Sequence, residues 1–301
     1  MIRIGVDFGG TKIEAAALDG AGKILSRLRK PTPREYQQAI RAVCDLVAET
    51  EAACGPGERI GLAIPGSISP SSGLIRNANS TFLNGRPFAR DLEQALGRPV
   101  RLANDANCLA VSESADGAGA GFETVFAMIL GTGVGGGIAI GGRSIGGGNG
   151  VAGEVGHMPL PWPRAEETPG PTCWCGLTGC LELYVCGPAF ERDHQALGGA
   201  PLRAEQVIQA ARAGEAAAIQ ALDRYLDRLG RGLAAIVDVL DPDVIVLGGG
   251  MSNVDELYER LPAAIEPRVF SDMFQTPIRR AVHGDSSGVR GAAWLWPLEE
   301  R

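Results

Sequence analysis

Twice along its length this chain runs an apolar strand into a glycine turn and then brings the backbone back as a second and a third strand. IRIGVD (2–7) ends on a carboxylate and a Gly-Gly turn, IEAAALD (13–19) returns, and KILSRLR follows the Gly20–Gly22 turn. The same order recurs in TVFAMILG (124–131), the glycine turn TGVGGG, the returning IAIGG and then RSIGG. Between and after these openings, periodic apolar spacing predicts helices. The segment Glu35–Ala53 has apolar residues at 39, 40, 43, 46 and 47, and further helices are expected at Phe88–Leu96, Ala106–Ala115, 203–213, Glu215–Leu240, 253–265 and 286–296. Short apolar runs at 59–66, 99–105 and 244–250 read as buried strands. Two α/β halves with one shared opening predict a duplicated two-domain fold with an interdomain cleft as its ligand site. The expected division is a small first domain over residues 1–117, rejoined by the final helix at about 286–301, and a larger domain over 118–285.

The 301 residues are 45% hydrophobic, which is enough for two cores. A net charge of −7 offers no basic surface for nucleic acid. No apolar run approaches the roughly 18 residues of a membrane span, and MIRIGVDFGG lacks the basic start and apolar core of a signal peptide. The 43 glycines cluster in short loops after apolar runs, pointing to backbone-lined ligand loops. Three of the seven cysteines crowd into positions 173–180, which suits a metal in a reducing cytoplasm better than a disulfide framework. Cys44, Cys54, Cys108 and Cys186 read as small apolar residues. The expectation is a cytoplasmic protein with neither a nucleic acid nor a membrane as partner.

Three cysteines and a histidine make a complete tetrahedral set for zinc. GEVGH (153–157) supplies His157, and CWCGLTGCLE (173–182) supplies Cys173, Cys175 and Cys180. Four protein ligands close the coordination sphere, the mark of a structural site, and leave no open position for a catalytic water. Glu154 and Glu182 remain beside the set and can face a ligand. The glycine turns DFGGTK (7–12), GTGVGGG (131–137) and GGGMSN (248–253) let backbone N–H groups approach phosphate oxygens. Thr11 and Thr132 add hydroxyl donors, and Asp7 would sit near a phosphate-bound magnesium through water. Each turn alone could be a plain hairpin, but matching turns in two half-repeats favour a phosphate clamp. Gly131, Gly133 and Gly136 also fit G-x-G-x-x-G, yet that dinucleotide fingerprint needs a helix directly afterwards, and GGGIAIGG is too rich in glycine for one. No Walker A pattern occurs. In LANDAN (102–107), Asp105 at a strand end reads first as a helix N-cap and alternatively as a base for a substrate hydroxyl. PGSISP (65–70) and NANST (77–81) offer small polar groups suited to a polyol and equally ordinary in loops.

Together these motifs resemble the ROK family (repressors, open reading frames and kinases) over nearly the whole chain. DFGGTK looks like its first phosphate loop, GTGVGGG its second, GGGMSN its adenosine loop, and CWCGLTGCLE its zinc motif. The resemblance implies an actin-like, ribonuclease H-like duplicated two-domain sugar kinase fold. IPGSISP, NANSTFLNGRPF, NDANCLAVSESADG and HGDSSGVRGAAWLWP narrow it to the bacterial ROK fructokinases, also called manno(fructo)kinases. The activity implied is ATP-dependent phosphorylation of the 6-hydroxyl of D-fructose, with mannose or glucose as side substrates. N-acetylglucosamine kinase and glucokinase are the alternatives from the same family, and an NAD-dependent oxidoreductase is the alternative from another class. By the same resemblance Asp105 is the general base, and Gly66, Asn79, Asn104, Glu154, His157 and Glu182 hold the sugar. Asp7, Gly9, Gly10, Thr11, Lys12, Gly131, Thr132, Gly133, Val134, Gly135, Gly136, Gly137, Gly249 and Gly250 hold ATP. Mg²⁺ accompanies the ATP, the zinc is structural, and a homodimer is expected. His157 would serve metal and sugar with its two ring nitrogens. The family's repressors carry a helix-turn-helix ahead of the first loop, and six residues before Asp7 leave no room for one. The Pro-rich insert PLPWPRAEETPGPT (159–172) is longer than in many relatives and is expected to reshape the edge of the sugar pocket.

Overall fold

The computed structural model describes residues 2–57 and 59–296, so the end of the expected 286–301 segment, residues 297–301, lies outside the described residues. The first half runs β1 (Arg3–Phe8), β2 (Lys12–Leu18), β3 (Ile24–Pro31), α1 (Tyr36–Cys54), β4 (Ile60–Ile64), a small hairpin of β5 (Ser67–Ile68) and β6 (Ile75–Arg76), α2 (Phe88–Leu96), β7 (Val100–Asn104) and α3 (Asp105–Asp116). The second half runs β8 (Thr124–Leu130), β9 (Val134–Ile140), β10 (Arg143–Ser144), α4 (Glu182–Val185), α5 (Gly187–Ala196), α6 (Ala204–Arg212), α7 (Ala216–Leu240), β11 (Val244–Gly248), α8 (Asp255–Ile265), β12 (Ile278–Arg280) and α9 (Ser287–Trp294). Two five-stranded mixed sheets result, ordered β3-β2-β1-β4-β7 and β10-β9-β8-β11-β12. In each, antiparallel strands follow the opening and parallel strands follow the crossovers.

Two compact units divide the chain. One comprises residues 1–123, 137–153 and 282–301, and the other 124–136 and 154–281, so the division falls inside β9. Residues 137–153, expected in the larger domain, therefore belong with the first unit. The glycine turn of the second half is also shorter than read. Pairing in the sheet draws Val134 onward into β9, against the low intrinsic strand preference of glycine.

In the first unit, Ile4, Val6, Leu46, Ile60, Leu62, Phe88 and Leu92 form the core between the sheet, α1 and α2. Helix α1 starts where Glu35 accepts a bond from Gln37 N at 3.1 Å and stops at Gly55 with φ 95°. Helix α9 returns to this unit and packs on β1, β4 and α3. The approach is backbone to backbone: a Cβ at Gly61 would fall 1.8 Å from Ala292 O, and one at Gly291 1.8 Å from Cys108 O. These glycines serve packing, not ligand loops. In the second unit, Val244–Leu247 of β11 are fully buried, and Ala218, Leu222, Leu226, Leu229 and Leu233 give α7 its buried stripe. No described helix is long and apolar enough to cross a membrane.

Candidate active site

Parallel pairing sets the first group of residues side by side. Asp7 of β1 lies opposite Ala63 of β4, and Ile64 lies opposite Asn104 of β7. Asp7, the turn after β4 and Asn104–Asp105 thus occupy the carboxyl ends of neighbouring parallel strands, where open α/β sheets bind ligands. The turn after Asp7 is closed by Gly9 N donating to Lys12 O at 3.0 Å and pinned by Thr32, whose Oγ1 donates to Gly9 O at 2.7 Å and whose N donates to Thr11 O at 3.0 Å. Gly10, Thr11 and Lys12 are exposed. Burial pushes the Asp7 carboxyl up to about 6, with the charges of Asp105 and Glu14 adding and those of Lys12 and Arg27 opposing.

The N-cap of α3 is Asn104, not Asp105: Asn104 Oδ1 accepts from Asn107 N at 2.7 Å. Asp105 is the first helical residue, with Oδ1 accepting from Ala106 N at 2.8 Å. It is reachable by solvent yet ringed by protein, and that crowding raises its carboxyl above the ordinary range despite the opposing N–H bonds. Capping by the neighbour leaves Asp105 available for other work. Gly66 sits at the base of the β5–β6 hairpin with φ 76°, and a Cβ there would meet Arg76 O at 2.4 Å. Asn79 is exposed beyond that hairpin.

In the second unit a cavity of about 710 Å³ is lined by Gly131, Thr132 and Gly250 among the foreseen residues. Its other walls were not foreseen: Pro188 and Glu191 of α5, Arg203 before α6, and Ile208 and Arg212 on α6. The one signal was Gly187-Pro188, a proline placed to begin a helix. Gly187 N donates to Gly131 O at 2.8 Å, joining α5 to the glycine loop. Gly133, Val134, Gly135, Gly136 and Gly249 are not in the cavity wall; Val134–Gly136 open β9 instead. Gly137 belongs to the first unit, where a Cβ would fall 2.1 Å from Ala106 O, so this glycine makes room for the start of α3. A strand after the glycines, where a dinucleotide site needs a helix, removes the oxidoreductase reading.

His157, Cys173, Cys175 and Cys180 come together with their ligand atoms all within 4.8 Å of one another. His157 Nδ1 lies 3.6 Å from Cys173 Sγ, and the Sγ atoms of Cys175 and Cys180 are 3.6 Å apart. Such spacing fits a common centre at ordinary Zn–S and Zn–N lengths. Burial and the neighbouring thiols push Cys180 up to about 12 without a cation, and a coordinated zinc would reverse that by deprotonating the thiols. The Nδ1 orientation leaves Nε2 of His157 for another partner. Glu154 is half-buried just before His157. Glu182 is already engaged: Oε2 accepts from Val134 N at 2.8 Å and Oε1 from Trp174 Nε1 at 3.1 Å. The insert 159–172 is clasped to α7, where Glu167 Oε1 accepts from Arg228 and Arg231 at 2.8 Å each, and Arg231 also donates to the carbonyls of Pro161 and Trp162.

The ROK family model matches residues 3–299. The chain is 40% identical to the N-acetyl-D-glucosamine kinase of Pectobacterium atrosepticum over 97% of both chains, and 38% identical to that of Haemophilus influenzae over 97% of this chain and 98% of the relative. Among solved structures, it is similar to the ROK hexokinase from Thermus thermophilus (TM-score 0.87, 36% identity, 98% and 97% of the two chains). It is also similar to a ROK family glucokinase from Streptomyces griseus in complex with glucose and AMPPNP (TM-score 0.78, 29% identity, 97% and 98% of the two chains). The chain belongs to the ROK family and has its actin-like two-domain α/β kinase fold.

Proposed function

We propose that this ROK-family sugar kinase is an ATP-dependent N-acetyl-D-glucosamine kinase that phosphorylates the sugar's 6-hydroxyl. The observation that carries the reading is end-to-end similarity at 38–40% identity to relatives bearing that name. It replaces the fructokinase reading, which those relatives do not support. The motifs behind the fructokinase reading carry Gly66, Asn79 and Asn104, whose polar groups suit the hydroxyls of any hexose and do not single out fructose.

In this reading Asp105, ionised above its raised pKa, accepts the proton of the 6-hydroxyl. The sugar oxygen then bonds to the γ-phosphorus as the bond to the β–γ bridging oxygen breaks, releasing ADP. Asn104, with Oδ1 spent on the cap, offers its amide N–H to a hydroxyl. Gly66, Asn79, Glu154, His157 and Glu182 complete the sugar contacts. The turn from Gly9 to Lys12, the turn from Gly131 to Gly133 and the opening of β9 from Val134 to Gly137 approach the phosphates, and the cavity lined by Gly131, Thr132 and Gly250, with Gly249 next in sequence, takes the nucleoside. Asp7, at the end of β1 beside the first glycine turn, would approach the Mg²⁺ bound with ATP, which would supply charge neutralisation there. His157 and the three cysteines would hold a structural zinc. A homodimer, from the family resemblance, and a reducing cytoplasm, which keeps the ligand thiols free, complete the reading.

Phosphorus NMR of the product made from N-acetylglucosamine and Mg²⁺–ATP tests it. A phosphomonoester split by two protons is the expected 6-phosphate. ADP without a new sugar ester, or an ester split by one proton, rejects the proposal.

A further inference from the structure

Trp174 lies between the first two cysteine ligands and is 66% exposed. Its only polar atom is spent, because Nε1 donates to Glu182 Oε1 at 3.1 Å. Its ring meets the His157 ring edge-on, with centroids 4.8 Å apart and planes at 83°. The indole therefore presents hydrocarbon to solvent while touching two residues assigned to the sugar. The loop that carries it is held in place: Cys173 N donates to Leu177 O at 2.7 Å, Thr172 bridges to Thr178, and Cys173 and Cys180 are buried. A large apolar face fixed beside hydrogen-bonding groups suits a substrate that carries an apolar group next to its hydroxyls.

We infer that Trp174 is a specificity-determining residue whose indole packs against the N-acetyl group of the substrate. The inference rests on the proposed assignment of His157 and Glu182 to the sugar. Those two groups offer only polar atoms, which serve the hydroxyls of any hexose. The acetamido methyl gains from burial only against an apolar wall, and a hexose with a hydroxyl at that carbon gains little there. Discrimination by one such apolar group is on the order of tenfold or more.

The test compares kcat/KM for N-acetylglucosamine and for glucose in the wild-type enzyme, Trp174→Ala and Trp174→Phe, with zinc content checked in each. Trp174→Ala should lower the ratio of the two values by roughly tenfold, chiefly through KM for N-acetylglucosamine. Trp174→Phe, which keeps an aromatic face, should hold the ratio much closer to wild type. The protein has four tryptophans, and N-acetylglucosamine added without ATP should shift the emission of the wild type and not of Trp174→Phe. That second readout stands even where the alanine variant loses zinc or fold. A wild-type ratio in Trp174→Ala, an equal loss for both sugars, or an emission shift that survives in Trp174→Phe overturns the inference. If the wild-type enzyme makes no N-acetylglucosamine phosphate, the proposed function itself fails before any variant is compared.

Discussion

The carboxylate of Glu182 accepts the backbone N–H of Val134 at 2.8 Å. One residue thereby ties the end of the cysteine motif to the strand that grows out of the second glycine loop. Its other oxygen accepts from Trp174 at 3.1 Å, so both donors facing it need an acceptor. Glutamine cannot satisfy both, because its amide nitrogen would point a donor at a donor. Glu182→Gln should raise KM for sugar and for ATP together, each by about tenfold, the scale of one lost hydrogen bond to a charged group. Steady-state kinetics with either substrate varied checks this, and a change confined to the sugar would break the link.

Asp105→Asn should bind both substrates with near-wild-type affinity and lose about 10²–10⁴-fold in kcat, the range for removal of a general base. The direction of the Asp105 shift also sets a pH dependence. Its carboxyl is raised, so the active, ionised form is lost as pH falls through a pKa above the ordinary carboxylate range. The acidic limb of kcat/KM should lie correspondingly high. A limb in the ordinary aspartate range would contradict the assignment.

Asp7→Asn should separate stability from activity. Burial and the neighbouring carboxylates raise Asp7 from 3.8 to about 6 in the folded protein. The native state then holds more protons than the unfolded state between those values, so ligand-free stability is present below about 4 and falls as pH rises through about 6. Removing the charge should stabilise the ligand-free protein at neutral pH by about 1–3 kcal/mol while abolishing turnover. Thermal unfolding of both proteins at acid and neutral pH reads this directly, with the difference vanishing at acid pH.

Glu167 carries the opposite sign. Burial would raise it, but Arg231, Arg228 and the Arg164 N–H hold it down to about 2. Its contribution is therefore present above the unfolded value of 4.5 and is lost as pH falls toward 2. Glu167→Ala removes the acceptor that Arg228 and Arg231 share, leaving them Asp193 and Asp227 as remaining partners, and should cost about 1–3 kcal/mol, measured by urea unfolding. The loss should shrink as the wild type itself is acidified.

Much of this arrangement was legible because its signals are local. The cysteine spacing, the two matching glycine turns and the strand ends at Asp7 and Asp105 each lie within a few consecutive residues. What escaped depends on distant partners. Val134–Gly136 read as a turn and became strand only through sheet pairing. Gly137 read as a phosphate contact, and nothing local in the sequence says that Ala106 O also occupies the space of its side chain. Glu191, Arg203 and Arg212 look like ordinary polar helix residues, and only the tertiary meeting of α5, α6 and the glycine loop makes them a cavity wall. The insert 159–172, expected at the sugar pocket, is bound to α7 by an ion cluster whose arginines lie more than 60 residues away. The identity of the sugar was the least legible, because the transfer machinery is shared across hexoses.

The central claim meets its most direct test in kcat/KM for N-acetylglucosamine, fructose, glucose and mannose, measured side by side with Mg²⁺–ATP. The account predicts N-acetylglucosamine first, by about tenfold or more over glucose, with fructose far behind. Fructose in first place, or no turnover of N-acetylglucosamine, would contradict it.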